Sequence, residues 1–180
     1  MKKLFFAALA AAVMSLGLIS CDTDDPAEGL NVNTSRTAEF RGVVLVNANE
    51  TASYNDQKWS APDEELNISA RVSYSQLGFG NTGGYYTIPS QNITYVRNTG
   101  EYTIISPVGL QGSSIEISID NFKGSVKKYV SGEEKNVEVI WNGISNISTD
   151  KGYEGSVIYV ANQLLSGSYN PVVNSGSNIN

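Results

Sequence analysis

Alternation with a period of two constrains this chain more than any other feature. In ELNISARVSY (65–74), Leu66, Ile68, Ala70, Val72 and Tyr74 share one parity, while Asn67, Ser69, Arg71 and Ser73 take the other. SIEISID (114–120) repeats the pattern with Ile115, Ile117 and Ile119 against Glu116 and Ser118. NVEVIW (136–141) does so with Val137, Val139 and Trp141 against Glu138. Successive side chains of a strand point to opposite faces, so each segment reads as a strand with one buried face and one wet face. A helix would need apolar residues three and four apart, and these segments offer none.

Six more segments are short and rich in β-branched and aromatic residues. FRGVVLVN (40–47) is apolar without a break after Gly42 and reads as a central strand. YYTI (85–88), ITYVR (93–97), EYTII (101–105), VKKYV (126–130) and GSVIYVA (155–161) complete the set. QLGFGNTGG, RNTGE, VGLQGSS, SGEE, WNGISN and DKG between them read as turns, and Gly100 of RNTGE supplies the positive φ of a tight hairpin. Lys127 and Lys128 mark an edge strand guarded against foreign pairing. ANQLLSGSYN (161–170) is at best two helical turns, so no helix of useful length covers a sheet. Apolar sheet faces must then meet each other. The chain is expected to be all-β, an antiparallel β-sandwich of about eight or nine strands, with a small barrel as the runner-up. The domain spans 37–173, where YNPVV offers a last edge strand, and 174–180 is a polar tail.

The chain has no histidine, which removes the usual general base, the commonest metal ligand and any Ser-His-Asp arrangement. Its one cysteine leaves no thiol for structural zinc. GFGNTGG (78–84) lacks the Lys-Ser/Thr ending of a phosphate-binding loop. Glu64, Glu65, Glu116, Asp120 and Glu138 are the carboxylates available for hydrolysing a glycosidic bond. By parity Glu116 and Glu138 face solvent, which is the ordinary state of a half-wet sheet. Calcium held by carboxylates and loop carbonyls remains open, but the twelve-residue calcium-loop pattern is absent. A non-enzymatic chain with no cofactor is the expectation.

The first residues, MKKLFFAALAAAVMSLGLISC, join two lysines to an apolar run shorter than a membrane span. LISC (18–21) resembles a bacterial lipobox, and the resemblance covers residues 1–25 alone. It implies a signal peptide over 1–20, removed on export, and a lipid on Cys21 that moors the chain to a membrane. More than one acyl chain holds firmly, at ~0.8 kcal/mol per buried CH₂. Asp22, Asp24 and Asp25 resemble the export tag of Bacteroidota surface lipoproteins, which implies the outer membrane and its exterior face. Residues 21–36 then form a tether. All eighteen acidic residues but only ten of the twelve basic ones follow Cys21, a net charge of −8 that argues against nucleic acid as a partner.

A binding surface is what these exclusions leave. Ten tyrosines and two tryptophans supply rigid contact area with a polar handle, suited to a glycan or a surface protein. Trp59 lies in a long polar loop; it is read first as a plug over one end of the core, and otherwise as an exposed platform. Tyr85 and Tyr86 are adjacent in a strand, so one must point outward. A display module for adhesion or binding is the leading reading. An assembly subunit of an envelope complex and a carrier of a small apolar ligand, of the calycin type, are the alternatives.

Overall fold

The computed structural model describes residues 29–52 and 58–169. The signal peptide, Cys21 with most of the tether, Asn170–Val173 and the polar tail lie outside them. Twelve strands occur among the described residues: β1 (Thr37–Val46), β2 (Ile68–Ser73), β3 (Tyr85–Thr87), β4 (Ile93–Val96), β5 (Glu101–Pro107), β6 (Glu116–Ile119), β7 (Phe122–Val130), β8 (Glu133–Trp141), β9 (Ile144–Ser148), β10 (Val157–Tyr159), β11 (Gln163–Leu165) and β12 (Gly167–Ser168). They form a five-stranded sheet in the order β10-β1-β5-β4 with β11 also on β1, a four-stranded sheet β3-β2-β6-β9, and a three-stranded sheet β12-β8-β7. The architecture is a β-sandwich, and among the described residues no sheet closes into a barrel.

All nine expected segments are strands. The count is higher than expected because β9, β11 and β12 come from stretches read as a turn or as weak helix. One further difference is in direction: β10 and β11 both run parallel to β1, end to end along the same side of it. The central placement of β1 follows, with β5 on its other side. Ala38, Phe40, Val44 and Val46 are buried on its inner side, while Val43 and Leu45 point outward and are half-buried. Leu45 stands there opposite Leu164 in the register.

Inward residues of all three sheets join one core, with Phe40, Ile104, Ile117, Val126, Val139 and Trp141 among its buried members. Gly42 is part of why they close-pack. A side chain there would collide with the Tyr102 ring, which lies across the β1 backbone opposite it. Burial pushes the Tyr102 hydroxyl up to about 12, and it has no hydrogen-bond partner among the described residues. The β4–β5 turn places Gly100 at φ 72°, as its hairpin requires.

The β7 edge is guarded, as the two lysines suggest, and main chain takes part. Lys127 N–H donates to the Ala48 carbonyl and Glu50 N–H to the Lys127 carbonyl, each at 2.8 Å. Lys127 also pairs with Glu134, and the Lys128 ammonium sits 3.7 Å from the centre of the Tyr169 ring.

Candidate functional site

The outer face of the four-stranded sheet is where the polar parity of β2, β3, β6 and β9 converges. Register sets Arg71 directly opposite Thr87 on one side and Glu116 on the other, with Glu116 opposite Ser148. Ser69 faces Ser118, and Tyr85 faces Ser73. Cross-strand neighbours lie close enough for their side chains to bond, which is why residues 45 apart in sequence form a pair here. Arg71 Nε donates to Glu116 Oε2 at 2.8 Å, and Nη2 reaches the same oxygen at 2.7 Å.

Tyr85 lies beneath this pair. The Arg71 guanidinium stacks 4.0 Å from its ring centre, and its hydroxyl donates to Glu116 Oε1 at 3.1 Å. Each group therefore fixes the other two.

An irregularity in β9 completes the arrangement. Ile117 pairs with Ile147 and Ile119 with Ile144, so β9 carries one more residue than β6 between these pairs. This is a β-bulge, a device that bends a strand and re-aims a side chain. Asn146, inside it, has φ 59°. Positive φ is uncommon outside glycine, though asparagine tolerates it better than most. Its N–H donates to Ser118 Oγ at 3.3 Å, and its Oδ1 accepts from Arg71 Nη2 at 3.2 Å. The bulge thus delivers an amide onto the ion pair.

Two adjoining hollows share Arg71 and Glu116. The larger, of about 430 Å³, is lined by Ser69, Ala70, Thr87, Ser118, Ser145 and Asn146 besides that pair. The smaller, of about 230 Å³, adds Ser73, Gln76, Tyr85, Ser114 and Ser148. Both are open polar grooves rather than enclosed cavities. Glu116 is the one carboxylate lining either, and among the described residues no group of acidic side chains could hold a metal ion.

The three aromatic candidates end in different places. Tyr85 is 41% exposed on the outer face and belongs to the groove. Tyr86, with opposite parity, packs against the core. Trp59 does not plug the core as first read: it is 39% exposed and outside the core cluster. Among the described residues of that loop the buried one is Pro62, whose carbonyl accepts the Tyr95 hydroxyl at 3.3 Å. Arg71 and Asn146 were not among the candidates, and Glu116 was weighed only as one of five carboxylates for glycoside hydrolysis. Arg71 and Glu116 were legible only as outward residues, and Asn146 only as part of a turn.

No known protein family and no curated protein sequence matches the chain.

Proposed function

We propose that this chain is a non-catalytic surface lipoprotein, held to the outer membrane by lipid on Cys21, whose β-sandwich binds a glycan on the outer face of β3-β2-β6-β9. The observation that carries the reading is the bulge that turns Asn146 onto the Arg71–Glu116 pair. A residue at positive φ within a strand is retained where the surroundings over-determine it, and such residues cluster at binding sites. Around it stand hydroxyls and amides on rigid strands, the groups that hydrogen-bond a sugar. The non-catalytic part is supported by the fate of Glu116. Its two oxygens are occupied by Arg71 and Tyr85, whereas glycoside hydrolysis calls for two free carboxylates ~5–9 Å apart.

The test is a glycan array probed with the purified chain, followed by calorimetry on the best ligand with Arg71→Ala and Arg41→Ala. Arg71→Ala is expected to lower affinity by about tenfold, or ~1.4 kcal/mol, and Arg41→Ala, on the other sheet, to leave it unchanged. Equal effects of the two variants would move the site elsewhere.

The assembly reading draws on a different observation. Val96, Ile105, Val157, Tyr159 and Leu164 are exposed on the outer side of the five-stranded sheet. Contiguous exposed apolar surface often marks contact with another protein.

A further inference from the structure

We infer that the groove selects uncharged sugar residues, that the larger hollow is the sugar subsite, and that the Arg71–Glu116 pair sets the choice; this deepens the glycan reading and rests on it.

A guanidinium recognises a carboxylate or sulfate through two parallel N–H groups of its fork. In Arg71 the Nε and Nη2 side of that fork is already spent on Glu116 Oε2, and Nη2 also serves Asn146. The cation has its counter-charge in the protein. An acidic sugar is left the Nη1 end of the fork unless it displaces Glu116, which Tyr85 holds from the other oxygen. The net charge of −8 beyond Cys21 adds long-range repulsion against an anionic ligand.

Uncommitted polar groups identify the subsite. Among the residues lining the larger hollow, the hydroxyls of Ser69, Thr87 and Ser145 and the Asn146 side-chain NH₂ make no hydrogen bond with the described residues. Hydroxyls both donate and accept, as sugar hydroxyls do, so the two sets pair without either being charged. The smaller hollow is different. Gln76 Oε1 accepts from Ser114 N–H at 2.6 Å, Ser73 Oγ bonds Ser75 Oγ at 2.8 Å, and Tyr85 is taken by Glu116. Apart from Ser148, its hydroxyls and amides are engaged in this way, and Tyr85 alone among them touches the ion pair. The ring face that Tyr85 turns to Arg71 is occupied, so hydrogen bonds rather than aromatic stacking on that face carry the contact.

The experiment measures binding of the purified chain to an array of neutral oligosaccharides and of the same backbones bearing uronate or sialate. Calorimetry follows on wild type and Glu116→Gln, at about 50 and about 300 mM salt. Wild type is expected to prefer neutral glycans by about tenfold or more, with an affinity nearly independent of salt. Glu116→Gln, which leaves Arg71 without its counter-charge, should lose neutral-glycan affinity and gain binding of the acidic set, now weakened by salt. Ser69→Ala and Thr87→Ala should weaken binding, while Arg41→Ala, on the five-stranded sheet, should not. Wild-type preference for acidic glycans would overturn the inference and leave the glycan reading standing. Binding to no glycan at all would sink the glycan reading and the inference with it. Should Glu116→Gln fail to fold, the wild-type preference and its salt dependence decide alone.

Discussion

On the four-stranded sheet, the outward residues of β2, β6 and β9 are serines, Arg71, Glu116 and Asn146, and hydrogen bonds link Glu116, Arg71, Asn146 and Ser118 in a chain. On the five-stranded sheet, outward Val157, Ile105 and Val96 stand exposed, and Tyr159 is 76% exposed. Register there gives rows of Val157–Glu39–Ile105 and Tyr159–Arg41–Thr103–Thr94, with a single ion pair, Arg41–Glu39, among them. The inner faces of the two sheets are alike, both lined by isoleucine, valine and other apolar side chains of one parity. Core packing therefore dictates half of each strand and leaves the other half free. The free halves have diverged, one toward specific polar contacts and one toward apolar exposure, and function is to be sought in that divergence.

The sharpest way to break this division is to alter adjacent residues of one strand. Ile117 is fully buried on the inner side of β6, and Ser118 faces outward beside it. Ile117→Ala is expected to cost about 3 kcal/mol through lost burial and the cavity left behind. Ser118→Ala should stay within about 0.5 kcal/mol. Urea denaturation of both variants gives the comparison, and similar midpoints would show that the outer face also carries the fold.

A middle-sized effect is expected on the inner side of the other sheet. The buried Tyr102 hydroxyl has no partner among the described residues, so Tyr102→Phe should raise stability by about 1 kcal/mol near neutral pH. The gain should widen in alkali. With the folded value near 12 and the unfolded one near 10, the unfolded chain releases the proton first. Stability then falls as pH rises through that window, and the phenylalanine variant loses this component. Tyr95 is also raised to about 12, by burial and then by Glu64 and Glu65; Tyr169 is raised to about 12 by burial and then by its bond to Glu50. The alkaline slope of the variant should thus be reduced rather than abolished. An unchanged slope in denaturation between pH 9 and 12 would show that Tyr102 is not a source of it.

How far the sequence discloses this molecule follows from the same division. Strands whose inner residues alternate without a break, such as β2, β6 and β8, are legible because burial acts on every second residue. β9 is not, because its bulge puts Ile144 and Ile147 three apart and destroys the period. β11 and β12 are short, and only Leu165 of them is buried, which leaves almost no pattern to read. In the site, Tyr85 was legible because two adjacent tyrosines in a strand must diverge. The meeting of Arg71 with Glu116 was not, because it depends on the register between distant strands, and outward residues carry no periodic mark of their partners. Trp59 misled for a related reason: in a loop without a period, size alone does not tell which residue is buried, and among the described residues of this loop it is Pro62.

The smallest expected effect separates backbone from side chain within the groove. Ser131 and Asn146 are the two non-glycine residues at positive φ among the described residues, and Ser131 sits in the tight β7–β8 turn, whereas Asn146 sits within a strand. Glycine adopts that backbone freely. Asn146→Gly should therefore keep the bulge, with stability unchanged or raised by about 0.5 kcal/mol. Alanine pays for the left-handed backbone with no local hydrogen bond in return, so Asn146→Ala should lose about 1 kcal/mol. Both variants remove the amide from Arg71 and should weaken glycan binding alike, by about fivefold or ~1 kcal/mol. Thermal denaturation and calorimetry on the same samples make the separation visible. If the glycine variant is as unstable as the alanine one, the Asn146 side chain holds the bulge together. The polar face would then support the fold as the inner face does, and the contrast between the two halves of each strand would lose its ground at this residue.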